Sequence, residues 1–400
     1  MELFKNTNFD FLGKKWPFII TSIVLTIAGF GSIFAKGGIK YGIDFRGGVN
    51  MLVKFSQAPP VEKLRSTLAG KISGEIDVVE VPGTSEVIIG TELRDEKALA
   101  ASRKVMSDTL SASFGDTGGK LDLLNTGQQA LIDRLRDPLA RAGAGLTDPQ
   151  LTELCKNILA FRDGNPNFGM LQSLDQLSAV KGVTPAILNV IKQEAGLSHF
   201  AIRNVEIVGP KVGAELKNQA ILATLYALGG MLVYIAFRFE WIYGVAAVLA
   251  IVHDIVITLG LFSIFNKEIS LTVVAALLTL VGYSMNDTIV VFDRIRENLR
   301  LMRREKFDSL VNSSINQTLS RTVMSSGLTL LTAVSLLMFG GTVLNGFSFA
   351  LVVGIIVGTY SSIFIASPIL IFWKAWSDKR RASGGPEKVV ISPATKQAAK

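Results

Sequence analysis

The sequence has few of the residue types from which proteins build metal and redox centres. It contains one cysteine, Cys155, and two histidines, so an intramolecular disulfide is excluded and a zinc site of cysteine and histidine ligands is disfavoured. It also lacks a Walker motif, a GxSxG elbow and an HExxH helix. We therefore expect no enzymatic activity, no metal and no cofactor.

Charged residues are also scarce: they make up 18% of the chain, against 49% hydrophobic residues, and the mean hydropathy is +0.40. Because the apolar residues occur in long runs, the composition predicts an integral membrane protein. The formal net charge is +8. In a membrane protein, an excess of basic residues indicates cytoplasmic loops rather than nucleic-acid binding.

Six apolar runs are long enough to cross a bilayer, and they predict an α-helical polytopic fold. The predicted spans are 16–34, 220–237, 241–262, 271–292, 323–339 and 347–372. No A-x-A-like cleavage site follows the first run, which predicts a retained span rather than a signal peptide. Residues 35–218 contain no run of this length and form a large extramembrane domain.

The extramembrane domain has an α+β pattern. Val49, Met51 and Val53 alternate with more polar neighbours, as in a half-buried strand. Residues 115–196 are predicted to be a helical insertion whose turn at Lys181–Thr184 resembles a helix-hairpin-helix module. Some such modules bind DNA and others bind proteins; outside the membrane, packing or protein contact is the favoured interpretation.

The distribution of basic residues sets the orientation. With residues 1–15 inside, the loop 293–321 and the basic tail 374–400 also lie inside, and the tail is expected to be disordered. The loop's basic residues are Arg294, Arg296, Arg300, Arg303, Arg304, Lys306 and Arg321. The short turns on the other side contain one basic residue, Lys267, which agrees with the positive-inside rule.

An acidic residue, Asp287, interrupts the fourth span. A carboxylate at membrane depth costs at least about 2.5 kcal/mol on insertion scales, and such residues often mark proton or ion pathways. The alternative is that Asp287 lies near the end of the span and only caps or snorkels.

Polar residues at three- and four-residue steps follow Arg321, which begins the fifth span. Ser325, Thr329 and Thr332 then share one helix face, which either lines a hydrated path or forms helix–helix hydrogen bonds. For Arg321 itself, the alternative to a role in proton transfer is an interfacial anchor.

The third span contains a second pair of polar residues, His253 and Asp254. Histidine titrates near neutral pH, so this pair either carries protons or forms a buried hydrogen bond, and the sequence leaves both open. Asn286 precedes Asp287 and is a further candidate for supporting proton transfer. Energy for any transport would come from the membrane potential, an ion gradient or a partner.

Four segments resemble the SecD/SecF family of protein-export membrane proteins, and within it the SecF branch. They are Tyr41–Gly48 (YGIDFRGG), Gly209–Leu216 (GPKVGAEL), Val281–Asn298 (VGYSMNDTIVVFDRIREN) and Leu319–Thr322 (LSRT). The third of these is highly specific. The resemblance covers all six spans and the two ends of the extramembrane domain, but not the insertion 115–196.

The resemblance implies half of a body similar to RND transporters, completed by a SecD-like subunit in the cytoplasmic (inner) membrane. It implies a proton-driven auxiliary of the SecYEG translocon that contacts exported polypeptides and membrane lipid, allows YajC as a further partner, and implies no nucleic acid. The family's proton-relay aspartate falls on Asp287 and its arginine on Arg321. Candidates for supporting residues, taken from the spans themselves, are Asn286, Ser325, Thr329, His253 and Asp254. Its motif in the outer domain falls on Gly42, Asp44, Gly47 and Gly48, where a structural turn is favoured over catalysis by Asp44 and Arg46.

Two other functions remain as alternatives. One is half of an RND-type proton-coupled exporter of small molecules or lipids, although six spans make only half of such a body. The other is a scaffold whose charged residues hold the fold.

Overall fold

The computed structural model describes residues 7–72, 76–81, 83–92 and 96–383. These residues form two compact units. One unit comprises the described residues up to Lys40 and from Leu222 onward, and begins with helix α1 (Lys15–Ala35). The other runs from Tyr41 to Ile221.

The second unit contains a four-stranded antiparallel sheet in the order β2-β3-β1-β6. Its strands are β1 (Gly48–Phe55), β2 (Ile76–Glu80), β3 (Glu86–Glu92) and β6 (Phe200–Val208), and its first helices are α2 (Ile43–Arg46), α3 (Val61–Ala69) and α4 (Glu96–Phe114). Alternate residues of β1 are buried against apolar residues of α3 and α4. The half-buried strand predicted for β1 is therefore present.

Helices fill the chain between α4 and β6. They are α5 (Gln128–Arg141), α6 (Asp148–Asp163), a 3₁₀ turn Leu174–Ala179 and α7 (Pro185–Glu194), and they lie between two short strands, β4 (Leu121–Asp122) and β5 (Ala195–Gly196). The two strands pair in parallel, which brings the ends of the segment together. Its apolar residues form a cluster of their own. Asn125 links it to β6, because its side chain donates to the Phe200 carbonyl (3.0 Å) and accepts from the Ile202 amide (2.8 Å).

The first unit continues with the remaining long helices. They are α8 (Pro210–Arg238), whose first residues belong to the other unit, α9 (Trp241–Ile264), α10 (Leu271–Leu301), α11 (Phe307–Phe339) and α12 (Gly341–Ser361), which runs through a π-helical turn, Ser362–Ala366, into α13 (Ser367–Ser383). In the part of the chain that the structure describes, six helices are long and apolar enough to cross a membrane. The six-span fold class with an α+β domain is confirmed.

The structure corrects the long loop predicted for residues 293–321. The structure extends α10 to Leu301 and begins α11 at Phe307, so a short connection replaces the long loop. Hydropathy marks only the part of a helix that contacts lipid, whereas a helix continues as long as its backbone is stabilised. Here Asn298 donates to Ser314 (2.8 Å) and to Gln317 (2.9 Å), which joins the polar ends of both helices.

Two further boundaries differ for the same reason. The second span was predicted to begin at residue 220, but α8 begins at Pro210, a residue type that suits the first position of a helix. The tail was expected to be disordered from Lys374, but α13 continues to Ser383. Residues 384–400 of the predicted tail, and residues 1–6 of the predicted N-terminal segment, lie outside the described residues.

The described chain before α1 is held by two asparagines of α11. Asn316 accepts from the Phe9 amide (2.8 Å), and Asn312 accepts from the Phe11 amide (2.9 Å). Both side chains also donate to the Phe9 carbonyl, at 2.9 Å each. We call these four hydrogen bonds the asparagine clasp.

Helices α1 and α9 approach each other through a pair of glycines. A Cβ added at Gly29 would lie 2.7 Å from the Gly260 Cα, and one added at Gly260 would lie 2.9 Å from the Gly29 Cα. The Ser32 and Ser263 hydroxyls hydrogen-bond across the same contact at 2.9 Å. Small residues permit this close approach, which is a common means of helix association in membranes.

We expect Gly29→Ala to destabilise the membrane unit, because the added methyl group would force α1 and α9 apart. Overpacking of this kind costs about 1–3 kcal/mol. The matched control is Gly31→Ala on the same helix, where nothing lies within 4 Å of an added Cβ. Thermal unfolding in detergent would measure both. Equal melting temperatures for the two variants would contradict the close glycine contact.

Candidate functional site

Asp287 lies on the buried face of α10, with 1% of its surface exposed. The Ser326 hydroxyl of α11 donates to its Oδ2 at 2.8 Å. Thr322 precedes Ser326 by one helical turn and is also buried. The hydroxyl oxygens of Thr322 and Thr288 have no hydrogen-bond partner among the described residues. Burial of a carboxylate in such surroundings costs free energy unless the group is paired or takes up a proton.

Arg321 is placed differently from the expectation. It is exposed on α11, and although it is near enough to attract Asp287 electrostatically, neither an ion pair nor a hydrogen bond joins these two described residues. Arg321 lies within a continuous helix rather than at the mouth of a loop. Ser326, which contacts Asp287, and Arg321 therefore lie on different faces of α11.

The predicted polar face of α11 is present, but it does not meet Asp287. The hydroxyls of Ser325, Thr329 and Thr332 donate to carbonyls of their own helix at 2.9–3.1 Å. Thr329 and Thr332 are exposed, as is Asn286 on α10. Neighbouring helix positions point about 100° apart, so the choice of Ser326 rather than Ser325 follows from how the two helices cross.

A second buried carboxylate, Asp254, lies at the middle of α9, with 1% of its surface exposed. Its Oδ2 accepts hydrogen bonds from Ser284 of α10 (2.6 Å) and Ser361 of α12 (2.9 Å). Its Oδ1 lies 2.9 Å from His253 Nδ1. The structure thus brings the predicted His253–Asp254 pair together and surrounds it with hydroxyl groups of two other helices.

The hydrogen bonds of His253 continue to a fourth helix. The Tyr360 hydroxyl lies 3.4 Å from His253 Nε2, and the Ser22 hydroxyl of α1 lies 3.0 Å from the Tyr360 hydroxyl. Ser22 and Asp254 are both buried. We call Ser22, Tyr360, His253 and Asp254 the hydroxyl–imidazole chain.

Helix α10 carries one of the two carboxylates, Asp287, and a hydrogen bond to the other, Asp254. Ser284, which binds Asp254, precedes Asp287 by three residues and lies on the same face of the helix. Among the hydrogen-bonding partners, sequence reasoning missed Ser22, Ser284, Ser326, Tyr360 and Ser361. The spacing of Ser284, Asp287 and Thr288 was a signal for the α10 face, but the partners on other helices carried none.

The glycine motif of the other unit has a structural explanation. Gly47 and Gly48 have φ angles of +77° and +150°, and a Cβ at Gly48 would lie 2.1 Å from the Thr91 carbonyl oxygen. A Cβ at Gly47 would lie 2.7 Å from the Pro210 Cα, so two of the segments noted in the sequence meet here. Gly42 precedes the short helix α2, which contains Asp44.

Among the described residues, no group of three His, Cys, Asp or Glu side chains could hold a metal ion. Cys155 is buried in the helical segment between β4 and β5, and burial raises the pKa of its thiol to about 11. The thiol is therefore neutral near pH 7 and is not a reactive nucleophile.

Two family models match the sequence. The model "Protein export membrane protein SecD/SecF, C-terminal" matches residues 189–376, and the model "SecD/SecF GG Motif" matches residues 31–59. The second match contains Gly42, Asp44, Gly47 and Gly48.

Two SecF relatives are similar over nearly their whole length, and a SecDF relative is similar over part of its length. Protein translocase subunit SecF of Koribacter versatilis is 48% identical, covering 96% of this chain and 96% of the relative. The corresponding protein of Calditerrivibrio nitroreducens is 38% identical, covering 94% and 97%. Protein translocase subunit SecDF of Thermus thermophilus is 40% identical, covering 71% of this chain but 37% of the relative.

The fold is similar to solved structures of SecDF. The crystal structure of SecDF from Thermus thermophilus, described as a translocon-associated membrane protein, matches with a TM-score of 0.64 at 32% identity, covering 92% of this chain and 39% of that chain. SecDF in a super-membrane-facing form matches with a TM-score of 0.56. The chain thus spans about two fifths of the SecDF chains.

We expect Ser326→Ala to destabilise the membrane unit, because Asp287 would lose its hydroxyl donor while staying buried. Hydrogen bonds to charged groups contribute about 1.5–3 kcal/mol. Ser325→Ala is the matched control, since the Ser325 hydroxyl bonds only to carbonyls of its own helix. Comparing the unfolding free energies of both variants in detergent tests this. If Ser325→Ala costs as much as Ser326→Ala, the contact with Asp287 is not the cause.

Proposed function

Because the chain belongs to the SecF family of protein translocase subunits, we propose that it is an accessory subunit of the Sec protein translocase and uses the proton motive force to promote protein export. Full-length similarity to SecF relatives supports the translocase role. The observation that carries the proton coupling is the buried Asp287, hydrogen-bonded to one hydroxyl on a neighbouring membrane helix.

The coupling follows from the two protonation states of Asp287. When it is ionised, it attracts Arg321 and accepts the hydrogen bond from Ser326; when it is protonated, the attraction to Arg321 is lost. A guanidinium group does not give up its proton in proteins, so the carboxyl group is the switch. Each state then favours a different packing of α10 and α11. This change in packing is transmitted along the chain to the unit Tyr41–Ile221 through α1 and α8, the helices by which the chain leaves and re-enters the membrane unit.

A SecD-like subunit is the proposed partner in the membrane. Arg321, Thr329 and Thr332 are exposed on α11, and Asn286 is exposed on α10. A guanidinium group facing lipid at membrane depth costs about 2.5–3.5 kcal/mol on insertion scales, so this surface is better covered by protein. SecDF relatives carry such a second half within one chain, of which this chain corresponds to about two fifths. In the complex, Arg321 then lies near Asp287 at a subunit boundary.

The remaining partners and the location rest on the same relatives. We place the protein in the cytoplasmic (inner) membrane with both termini in the cytoplasm, where it acts beside SecYEG, and YajC, on exported polypeptides, with lipid around its outer surface. No cofactor is required, because the proton gradient supplies the energy. One charge moved across 100 mV is worth about 2.3 kcal/mol.

We predict that Asp287→Asn abolishes the part of export that depends on the proton gradient. The amide of asparagine keeps the size of the side chain but cannot take up and release a proton as a carboxyl group does. Export of a secreted substrate into inverted membrane vesicles, with and without a gradient, is the measurement. Asp308→Asn is the control, because Asp308 is exposed at the start of α11.

Gradient-dependent export at the parental rate in Asp287→Asn would overturn the proton coupling. Gradient-driven small-molecule transport without a SecD-like subunit would instead support the exporter alternative.

A further prediction concerns the orientation of the chain in the membrane. A cysteine introduced by Asp163→Cys, in the exposed end of α6, should react with a membrane-impermeant maleimide added to spheroplasts. A cysteine introduced by Arg303→Cys, between α10 and α11, should react only after the membrane is opened. The native Cys155 gives little background because its thiol is buried and its pKa is raised to about 11. Labelling of the Arg303→Cys variant from outside would invert the topology.

A further inference from the structure

With Asp254 ionised and His253 neutral, the hydroxyl–imidazole chain has one consistent arrangement of protons. Both hydroxyls on Asp254 Oδ2 donate, so the carboxylate is an acceptor, and His253 Nδ1–H donates to Oδ1. In neutral histidine the other nitrogen is then an acceptor, which fits the Tyr360 hydroxyl as a donor to Nε2. The Tyr360 oxygen in turn accepts from the Ser22 hydroxyl. Every donor therefore points toward Asp254.

This arrangement leaves a negative charge in an apolar helix bundle. Asp254 is buried, and its contacts are three donors, none of which is a lysine or an arginine. Hydrogen bonds reduce the cost of the charge, but a proton on the His253–Asp254 pair removes the net charge altogether. The pair is thus a place where one additional proton is stabilised.

We propose that Asp254 is a second proton-carrying carboxylate of this protein and that Ser22, Tyr360 and His253 deliver its proton. The inference rests on the proposed function, since the gradient supplies the proton. It adds a site on α9 that is separate from the contact between Asp287 and Ser326. Its residues come from α1, α9 and α12, so the site links the first span to α9 and α12, both of which pack against α10.

The transfer is balanced along the chain. A proton arriving on the Ser22 oxygen displaces the Ser22 hydroxyl proton to the Tyr360 oxygen, and the Tyr360 proton moves to His253 Nε2. His253 then gives up its Nδ1 proton to Asp254 Oδ1. One proton enters at Ser22 and one arrives at Asp254, which becomes neutral, while His253 changes tautomer. No other bond changes.

The site is also connected to the helix that carries Asp287. Ser284 donates to Asp254 and lies one turn of α10 from Asp287. When Asp254 becomes protonated, its oxygens no longer hold Ser284 and Ser361 as strongly, because hydrogen bonds to charged acceptors are the stronger ones. The titratable groups in contact with Asp254 directly or through the chain are His253 and Tyr360; α1 and α10 contribute only hydroxyls.

Single hydroxyl deletions test the delivery path. In vesicles containing the full chain and its SecD-like partner, Tyr360→Phe should slow gradient-driven export by about tenfold or more, since positioned proton transfer contributes at least that much. Tyr243→Phe is the matched control, because Tyr243 is buried on α9 and its hydroxyl makes no hydrogen bond within the described residues. Ser22→Ala should act like Tyr360→Phe. Its control is Thr21→Val, since the exposed Thr21 hydroxyl bonds only to the Pro17 carbonyl of its own helix.

Infrared difference spectroscopy between high and low pH tests the carboxylate itself. The parent should show carboxyl bands from both aspartates; Asp254→Asn should remove one band and Asp287→Asn the other. A spectrum of Asp254→Asn identical to the parent's would overturn the inference. So would parental export in Tyr360→Phe, or equal losses of export and melting temperature in Tyr360→Phe and Tyr243→Phe. Gradient-dependent export that fails in Asp287→Asn but persists in Tyr360→Phe would sink this inference while leaving the proposed function intact.

Discussion

The cost of placing a carboxylate in an apolar helix bundle is the constraint on which the membrane unit depends. Asp254 and Asp287 are both buried: Asp254 accepts from two hydroxyl groups of neighbouring helices and Asp287 from one, and neither forms an ion pair with a lysine or arginine among the described residues. Hydroxyls stabilise a buried carboxylate only in part, so burial of each group still costs free energy. A strong ion pair would fix the charge, which is why its absence between these carboxylates and a lysine or arginine among the described residues is compatible with the proposed proton coupling.

Close helix packing is what brings these hydroxyls within reach. Gly358 of α12 faces α10 and α9: a Cβ there would lie 3.0 Å from the Ser284 Cβ and 3.5 Å from Asp254 Oδ2. Gly29 and Gly260 let α1 approach α9. In a bilayer the interior of a bundle gains little from apolar burial alone, so small residues and polar contacts decide which helices associate. The glycines therefore let the helices approach closely, and the serines then reach the carboxylates across the contact.

The sequence predicts that there are six spans and that a carboxylate, Asp287, lies within the fourth, because run length and a charge inside a run are local properties. It does not predict helix ends, since α10 continues to Leu301 long after its hydropathy falls. Nor does it identify the donor to Asp287: Ser325 and Ser326 are adjacent, and only the crossing of α10 and α11 selects Ser326. Ser22 and Tyr360 are 338 residues apart, and no local pattern joins them.

The asparagine clasp has a consequence for biosynthesis. The backbone near Phe9 leaves the ribosome first, but its partners Asn312 and Asn316 follow about 300 residues later. At roughly 5–20 residues per second, the delay is on the order of tens of seconds. Throughout that time the first span sits in the bilayer with its leading segment unattached. The clasp therefore closes only after the first turns of α11 have been made, and it ties the described chain before α1 to a helix that is synthesised after four of the six candidate spans.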